Sequence, residues 1–528
     1  MNEIVKGMIA GYGPDFPSLE KLFALKADAK TVEILLSPTS LLGRYSKSVE
    51  FMKDVTSGKA IGLKRFYVIK KYLIALSEFL AQRSIPDDEK IIGVLSAEDK
   101  KFIMETIGVS LDEVFQAEKI EAFTEHDTAA AGDFIKLKIA SELPHLAKDV
   151  EAVCFAETSE DTMSIVFGLV ANELILGHLA NRLSEFCFFL MDYCYLQEAL
   201  NGGPLVLPEL THLQAAEPTT HLIKTLIRVS AIQSLLHDLL SSQFSAKMGG
   251  AINNLTCHYA AYPKLPWHDF ANKYIEDYKL THEPWADQCV SYTNEAGKFL
   301  IVSNILTQII KLTEDFIRMA SCPAQLFIKQ KKKGVKGSSI MPNKSNAWAM
   351  EGAVVMLKKS RNALMFLAEE LPNYPNAGNM GRSFLFRELG TDVMPIFIAL
   401  DRITREMKSY VPYQEKISAF FREYPGMSGS ALQTVLKKMR IPGDAYRAIQ
   451  DIAVNPDGSY ANQTQFAEGL KNKTLELGLN EFQAAKLQRL LDPVFLIMPA
   501  HQKALADREE LLKRLSYLQE AARGYMKQ

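Results

Sequence analysis

The residues best equipped for chemistry lie between Lys329 and Glu351, in the run KQKKKGVKGSSIMPNKSNAWAME. Five lysines (329, 331, 332, 333 and 336) fall within eight residues, with no acid among them. Gly337, Ser338 and Ser339 follow, then Met341-Pro342, Lys344, Asn346 and Glu351. Gly334 and Gly337 bracket a loop. Beyond Asn346 the pattern turns helical, which puts Glu351 on the first turns of a helix. Such a loop is flexible, cationic and hydroxyl-bearing. Its lysines and backbone N–H groups suit an anion, and its closure would exclude water while negative charge develops. By composition alone, the same residues also make a solvated charge run ending in a Gly-Ser turn.

The elements that must carry this loop read as helices. From Glu295 to Ala320, Phe299, Val302, Leu306, Ile309, Thr313, Phe316 and Ala320 recur in steps of three and four, with Ile305, Ile310 and Ile317 widening the apolar face. Leu222, Leu226, Val229, Ile232, Leu236 and Leu239 do the same between residues 221 and 240, and segments 164–200 and 348–370 are also helix-compatible. Hairpin signals are scarce, and Asp457-Gly458 is the only dipeptide with hairpin chemistry. The expected fold is therefore all-α, with a central bundle of long helices. Breakers at Leu143-Pro144-His145, Gly202-Gly203-Pro204 and Pro425-Gly426 divide the chain. The expected parts are 1–145, 146–402 with the loop, and 403–528.

Composition excludes several classes. Sixty basic against 62 acidic residues give a net charge of −2, which argues against a globally basic surface for nucleic acid or anionic membrane. The greasiest window, Phe186 to Leu196, is interrupted by Asp192 and too short to span a bilayer. The N-terminus lacks a signal-peptide pattern. Six cysteines without a C-x-x-C pair read as reduced, mostly buried thiols, and the expected location is the cytoplasm. No H-E-x-x-H or Cys/His cluster has metal-ligand spacing, so no metal or other cofactor is expected.

Residues 337–346 match G-S-S-x-M-P-x-K-x-N, the pattern that most distinguishes the fumarase/aspartase superfamily, and the chain resembles that superfamily. Thr158-Ser159-Glu160-Asp161 resembles its T-S-x-D segment, and Thr211-His212-Leu213-Gln214 its T-H-G-Q segment. Within the superfamily, the adenylosuccinate lyase branch is the most similar. It shares Leu36-Ser37-Pro38 with Gly43-Arg44-Tyr45, Thr124-Glu125-His126-Asp127, and the stretch Lys247–Phe270.

The resemblance implies a lyase that eliminates fumarate from an N-linked aspartate. Adenylosuccinate, giving AMP, and the succinylcarboxamide ribotide of purine biosynthesis, giving AICAR, are the implied substrates. Ser338 is implied as the general base and His212 as the general acid, with Glu351 holding the other imidazole nitrogen of His212 and His126 as a second active-site histidine. Lys344, Asn346, Thr158 and Ser159 are implied to hold carboxylates, and Ser339 to bind the substrate. Gln288, Asp127, Arg44 and Tyr45 would face the substrate, and Ser383 and Arg387 its phosphate. The implied assembly is a homotetramer with shared active sites, acting on a small nucleotide and binding neither nucleic acid nor membrane.

The chain also departs from the pattern. The arginine expected before T-H falls on Leu210, the glycine after the histidine on Leu213, and a substrate-binding arginine on Gly378, with Arg382 four residues on. Two other readings follow: a superfamily lyase acting on a different aspartyl adduct, and a catalytically silent helical scaffold.

Overall fold

A computed structural model describes residues 40–330, 333–374 and 376–526. Leu36, Ser37 and Pro38 of the N-terminal match, and Lys331 and Lys332 of the lysine run, lie outside the described residues. Eight helices organise the site: α1 (Gly58–Ala81), α2 (Asp127–Glu142), α3 (Ser159–Asn201), α4 (His221–Leu240), α5 (Thr293–Ala320), α6 (Trp348–Glu370), α7 (Met380–Met407) and α8 (Pro493–Tyr525). The fold is all-α as expected. The described strands form three two-stranded pairs: β1 (Val206–Thr211) with β2 (Gln214–Thr220), β3 (Ser245–Ala246) with β4 (Thr281–His282), and β5 (Phe327–Lys329) with β6 (Tyr410–Pro412).

The periodic residues bury the face that the spacing predicts. On α5, Phe299, Val302, Leu306, Ile309 and Thr313 are at most 1% exposed, and on α4 Val229, Ile232, Leu236 and Leu239 are fully buried. Burying one such aliphatic or aromatic side chain contributes about 1.5–3 kcal/mol, so the seam fixes the rotation of each helix. Helix α5 packs against α4 and α6, α6 against α7, and α3 against α4. The C-terminal helix α8 returns to lie on α3 and α4. One apolar core accordingly runs from Val49 to Ile417 and takes in Ala504, Leu511, Leu515 and Ala522 of α8. A second, smaller core is built from Leu432, Leu436, Ile449, Phe466, Leu470 and their neighbours.

Helix starts follow local chemistry. The Ser57 hydroxyl accepts from the Ala60 N–H at 3.2 Å to cap α1, and Thr220 does the same for Ile223 at 3.2 Å to cap α4. Helix α3 is the longest continuous run, 43 residues, with a π-helical stretch over Asn172–Leu179. It extends well beyond the apolar window 186–196. By length and composition it is the one described helix able to cross a membrane, yet 83% of its most apolar window is buried inside the fold. Its sequence is greasy because helices pack on several of its sides.

Two sequence expectations are corrected here. A true β-hairpin exists at 206–220, and its signal was missed because its two-residue turn is His212-Leu213, both at positive φ (51° and 62°), with no glycine, asparagine or aspartate. The thiols are also less uniformly buried than expected: Cys187, Cys194 and Cys289 are buried, whereas Cys257 and Cys322 are exposed.

Two buried histidines, His221 and His258, and the half-buried His282 carry a pH signature. Burial depresses His221, His258 and His282 from the usual value of 6.5 to about 4. A depressed folded-state value means that the unfolded chain takes up the proton first. The stability contribution is then complete above pH 6.5 and is lost as pH falls toward 4. The urea midpoint should drop over that window, and the drop should become shallower in His258→Phe. An unchanged pH slope in that variant would refute the assignment.

Candidate active site

The T-S-x-D segment is, first, a helix start. Thr158 caps α3, and its backbone N–H donates to the Asp161 carboxylate at 2.8 Å, which closes a capping box. Asp161 does more than cap. Its two oxygens also accept from Lys247 Nζ at 2.7 Å and from the Gly249 and Gly250 N–H groups, both at 2.9 Å. Neither side chain of the Asp161–Lys247 pair touches solvent. Lys247 Nζ further donates to the Gly250 carbonyl at 2.8 Å. Asp161 and Lys247 are site-building residues without a role in the sequence reading. Their signals were the aspartate that ends the T-S-x-D segment and the lone basic residue in the otherwise small and apolar stretch SAKMGGA.

Thr158 and Ser159 line a cavity of about 400 Å³ together with His126, Thr162 and Glu157. His126 is the N-cap of α2. Its Nδ1 accepts from the Ala129 N–H at 3.4 Å, which leaves Nε2 to carry the proton. The next residue, Asp127, accepts from Arg65 Nη2 at 2.7 Å and from Arg387. Burial alone would raise the Asp127 carboxyl, but the two guanidinium groups outweigh it and hold it below the ordinary carboxylate range. Asp127 and Arg387, expected at the substrate, are thus bound to each other. Arg65 completes the triad and was missed.

The Ser338 loop lines a second, larger cavity of about 810 Å³. Gly337, Lys344 and Trp348 form one wall, Arg44 and Tyr45 another, and Arg402, Arg405 and Glu406 of α7 a third. The Ser338 hydroxyl oxygen accepts from the Met341 N–H at 3.2 Å. Ser338 and Asn346 are half-buried, and Ser339, Lys344 and Glu351 are exposed, with Glu351 in the first turn of α6 as predicted. Lys329 departs from expectation. It sits on strand β5 rather than in the loop, and its Nζ lies 2.6 Å from Glu406.

The departures have structural counterparts. A Cβ at Gly378 would lie 1.8 Å from Gln288 Oε1, so Gln288 occupies the space an arginine would need. Arg382 is 5% exposed, with the rings of Tyr374 and Tyr292 at 5.1 and 5.5 Å from its Cζ, and its neighbour Ser383 is also buried. His212 lies at the exposed tip of the β1–β2 hairpin. The hairpin is braced by the smaller core's region, where the Tyr460 hydroxyl donates to Gln214 at 3.1 Å. Among the described residues of one chain, His212 makes no hydrogen bond to Glu351 or Ser338. The chain therefore presents three separate groups: His126 with Thr158 and Ser159, the Ser338 loop with Arg44 and Tyr45, and the His212 hairpin.

The profile of a family described as lyase matches residues 64–362, more than half of the chain. The chain belongs to this lyase family. It is similar to adenylosuccinate lyase of Escherichia coli K12, at 25% identity over 435 residues covering 81% of this chain and 91% of the relative. It is also similar to adenylosuccinate lyase of Legionella pneumophila strain Corby, at 25% identity over 87% and 96% of the two chains, and of Dictyostelium discoideum, at 24% over 78% and 86%. The chain is a divergent member of the fumarase/aspartase superfamily, and the matched region takes in α2 to α5, the Ser338 loop and the first part of α6.

Two outcomes test the construction of this lyase site. Lys247→Met leaves Asp161 buried without its counter-charge and should cost about 3–5 kcal/mol, read as a lowered urea midpoint, with Asp161→Asn in the same chain recovering part of the loss. A midpoint within experimental error of the parent would refute the pair's importance. Leu213→Gly relieves a left-handed leucine that is 73% exposed and should raise the thermal midpoint, by about 0.5–1 kcal/mol in stability. A lowered midpoint would show that the leucine side chain contributes contacts that outweigh its backbone strain.

Proposed function

We propose that the chain is a C–N lyase that eliminates fumarate from an N-linked aspartate, with adenylosuccinate (to AMP) and the succinylcarboxamide ribotide (to AICAR) as substrates. The observation that carries this reading is the Ser338 loop forming the wall of a large cavity lined by five basic side chains and one acidic one. The reaction removes a weakly acidic C–H proton beside a carboxylate, so the intermediate is an aci-carboxylate dianion. Preorganised donors and positive charge are what such a species requires.

In this reading Ser338 takes the proton. Its oxygen already accepts from a backbone N–H, which favours the alkoxide over the hydroxyl. Lys344 and Asn346 hold one carboxylate, and Thr158 and Ser159 the other. His212 protonates the departing nitrogen, and Glu351 accepts from its second ring nitrogen and fixes the tautomer. Since these groups are separate within one chain, the reading requires subunits of a homotetramer to bring the His212 hairpin, the Thr158–Ser159 cavity and the Ser338 loop together.

A second reading, fumarate release from a different aspartyl adduct, draws support from the engagement of Arg387 with Asp127 and the filling of the Gly378 site by Gln288. Ultraviolet assay with adenylosuccinate separates the two: no turnover, with turnover of another aspartyl adduct, selects the second. Ser338→Ala and His212→Ala should each lower kcat by about 10²–10⁴-fold with KM changed only a few-fold. Mixing the two inactive variants under subunit exchange should restore a fraction of the activity, because some sites then receive both intact residues. Near-normal kcat in either variant would remove that residue from its role, and no recovery on mixing would count against a shared site.

A further inference from the structure

The start of α7 places an arginine where a cation is least welcome. The Asn379 side-chain oxygen accepts from the Gly381 N–H at 2.7 Å and caps the helix, which puts Arg382 in the first turn. Gly381 leaves room for a ring beside it, because a Cβ there would lie 2.5 Å from the Tyr374 hydroxyl. Arg382 is almost wholly buried, and its Nε and Nη1 have no hydrogen-bond partner among the described residues. Burial and the positive end of the helix dipole both disfavour its charge. A negative group must offset both effects.

That group is Glu160, in the first turn of α3, where the dipole favours an acid. Its Oε2 accepts from the Cys289 thiol at 3.6 Å. Burial raises the Glu160 carboxyl, Asp161 raises it further, and Cys289, Lys247 and Arg382 pull it back. Burial likewise raises the Cys289 thiol, and Arg382 pulls that back too. Lys247 is already committed to Asp161. Arg382 is therefore the cation beside Glu160 that has no other carboxylate to answer. Each member of the cluster adjoins a residue expected at the substrate: Glu160 follows Ser159, Cys289 follows Gln288, and Arg382 precedes Ser383.

A carboxylate on Glu160 stands one residue from the pair, Thr158 and Ser159, that would receive a carboxylate of the substrate. Without a counter-charge the two anions repel. We propose that Arg382 is a positioning residue that neutralises Glu160 and so lets Thr158 and Ser159 accept a carboxylate. The proposal rests on the reading of the chain as a lyase that releases fumarate.

The test is calorimetric titration of the full chain with fumarate, combined with adenylosuccinate kinetics. Arg382→Met should weaken fumarate at least about tenfold, and adding Glu160→Gln should restore most of the affinity, as two coupled charges require. Arg382→Lys should retain part of it. In kinetics Arg382→Met should raise KM more than it lowers kcat, because the carboxylate is held equally in ground and transition states.

Unchanged fumarate affinity in Arg382→Met overturns the proposal. Equal loss in Arg382→Met and the double variant also overturns it, and assigns Arg382 a packing role. Adenylosuccinate turnover with Arg382-independent fumarate binding overturns the charge pair and leaves the function standing. Fumarate binding that follows the pair, in a chain that cleaves no adenylosuccinate, overturns that substrate and supports the pair. A parent that neither binds fumarate nor cleaves an aspartyl adduct overturns both.

Discussion

Asp161 and Lys247 meet in the interior, 2.7 Å apart, with no solvent contact for either side chain. An isolated charge in that place is prohibitively costly, so the pair holds only because its remaining lone pairs and protons are satisfied. Asp161 accepts from Lys247, from two successive glycine N–H groups and from the N–H of Thr158. One carboxylate therefore ties the start of α3 to the 247–250 turn. Thr158 and Ser159 stand where they do because that carboxylate anchors the residue before the helix. The turn in turn places β3 beside β4 and leads into the segment containing His258. The segment Thr158–Asp161 thus starts a helix, anchors a buried charge and lines a cavity at once.

The charge distribution of the site is divided. The cavity around Thr158, Ser159 and His126 has one lysine, Lys136, and that lysine is paired with Glu151 at 3.0 Å. The cavity around the Ser338 loop holds five basic side chains and one acid. A net charge of −2 for the whole chain conceals this local excess. A low-dielectric wall with unbalanced cations focuses the field on whatever anion enters, which is how a globally neutral protein can hold a strongly acidic ligand. Arg402 gives that wall its depth, because it is buried rather than solvated and its charge is weakly screened.

Much of the fold was legible from periodicity. The helix boundaries at 221–240 and 348–370 coincide with the predicted ones because apolar residues at steps of three and four can be buried together only on one helical face. The β1–β2 hairpin was not legible. Its turn uses His212 and Leu213 at positive φ, where the usual cue is glycine or asparagine, so the backbone geometry is imposed by the strands on either side. The loop chemistry at Ser338 was legible because ten consecutive residues carry it. The contacts among Arg65, Asp127 and Arg387 were not, being separated by as many as 260 positions.

The helical class, the lyase loop and the types of group available for proton transfer can be read from the residues alone, since each is written in local spacing or in a contiguous motif. Which charges are free to meet a ligand emerges from the packing. Arg387 and Arg402 are both arginines on α7, and nothing in their types or spacing distinguishes them. One is bound to Asp127, and the other is buried among neutral groups at a cavity wall. The distinction arises because a charge's availability depends on what long-range packing places beside it, and that is a property of three-dimensional distance rather than of chain order.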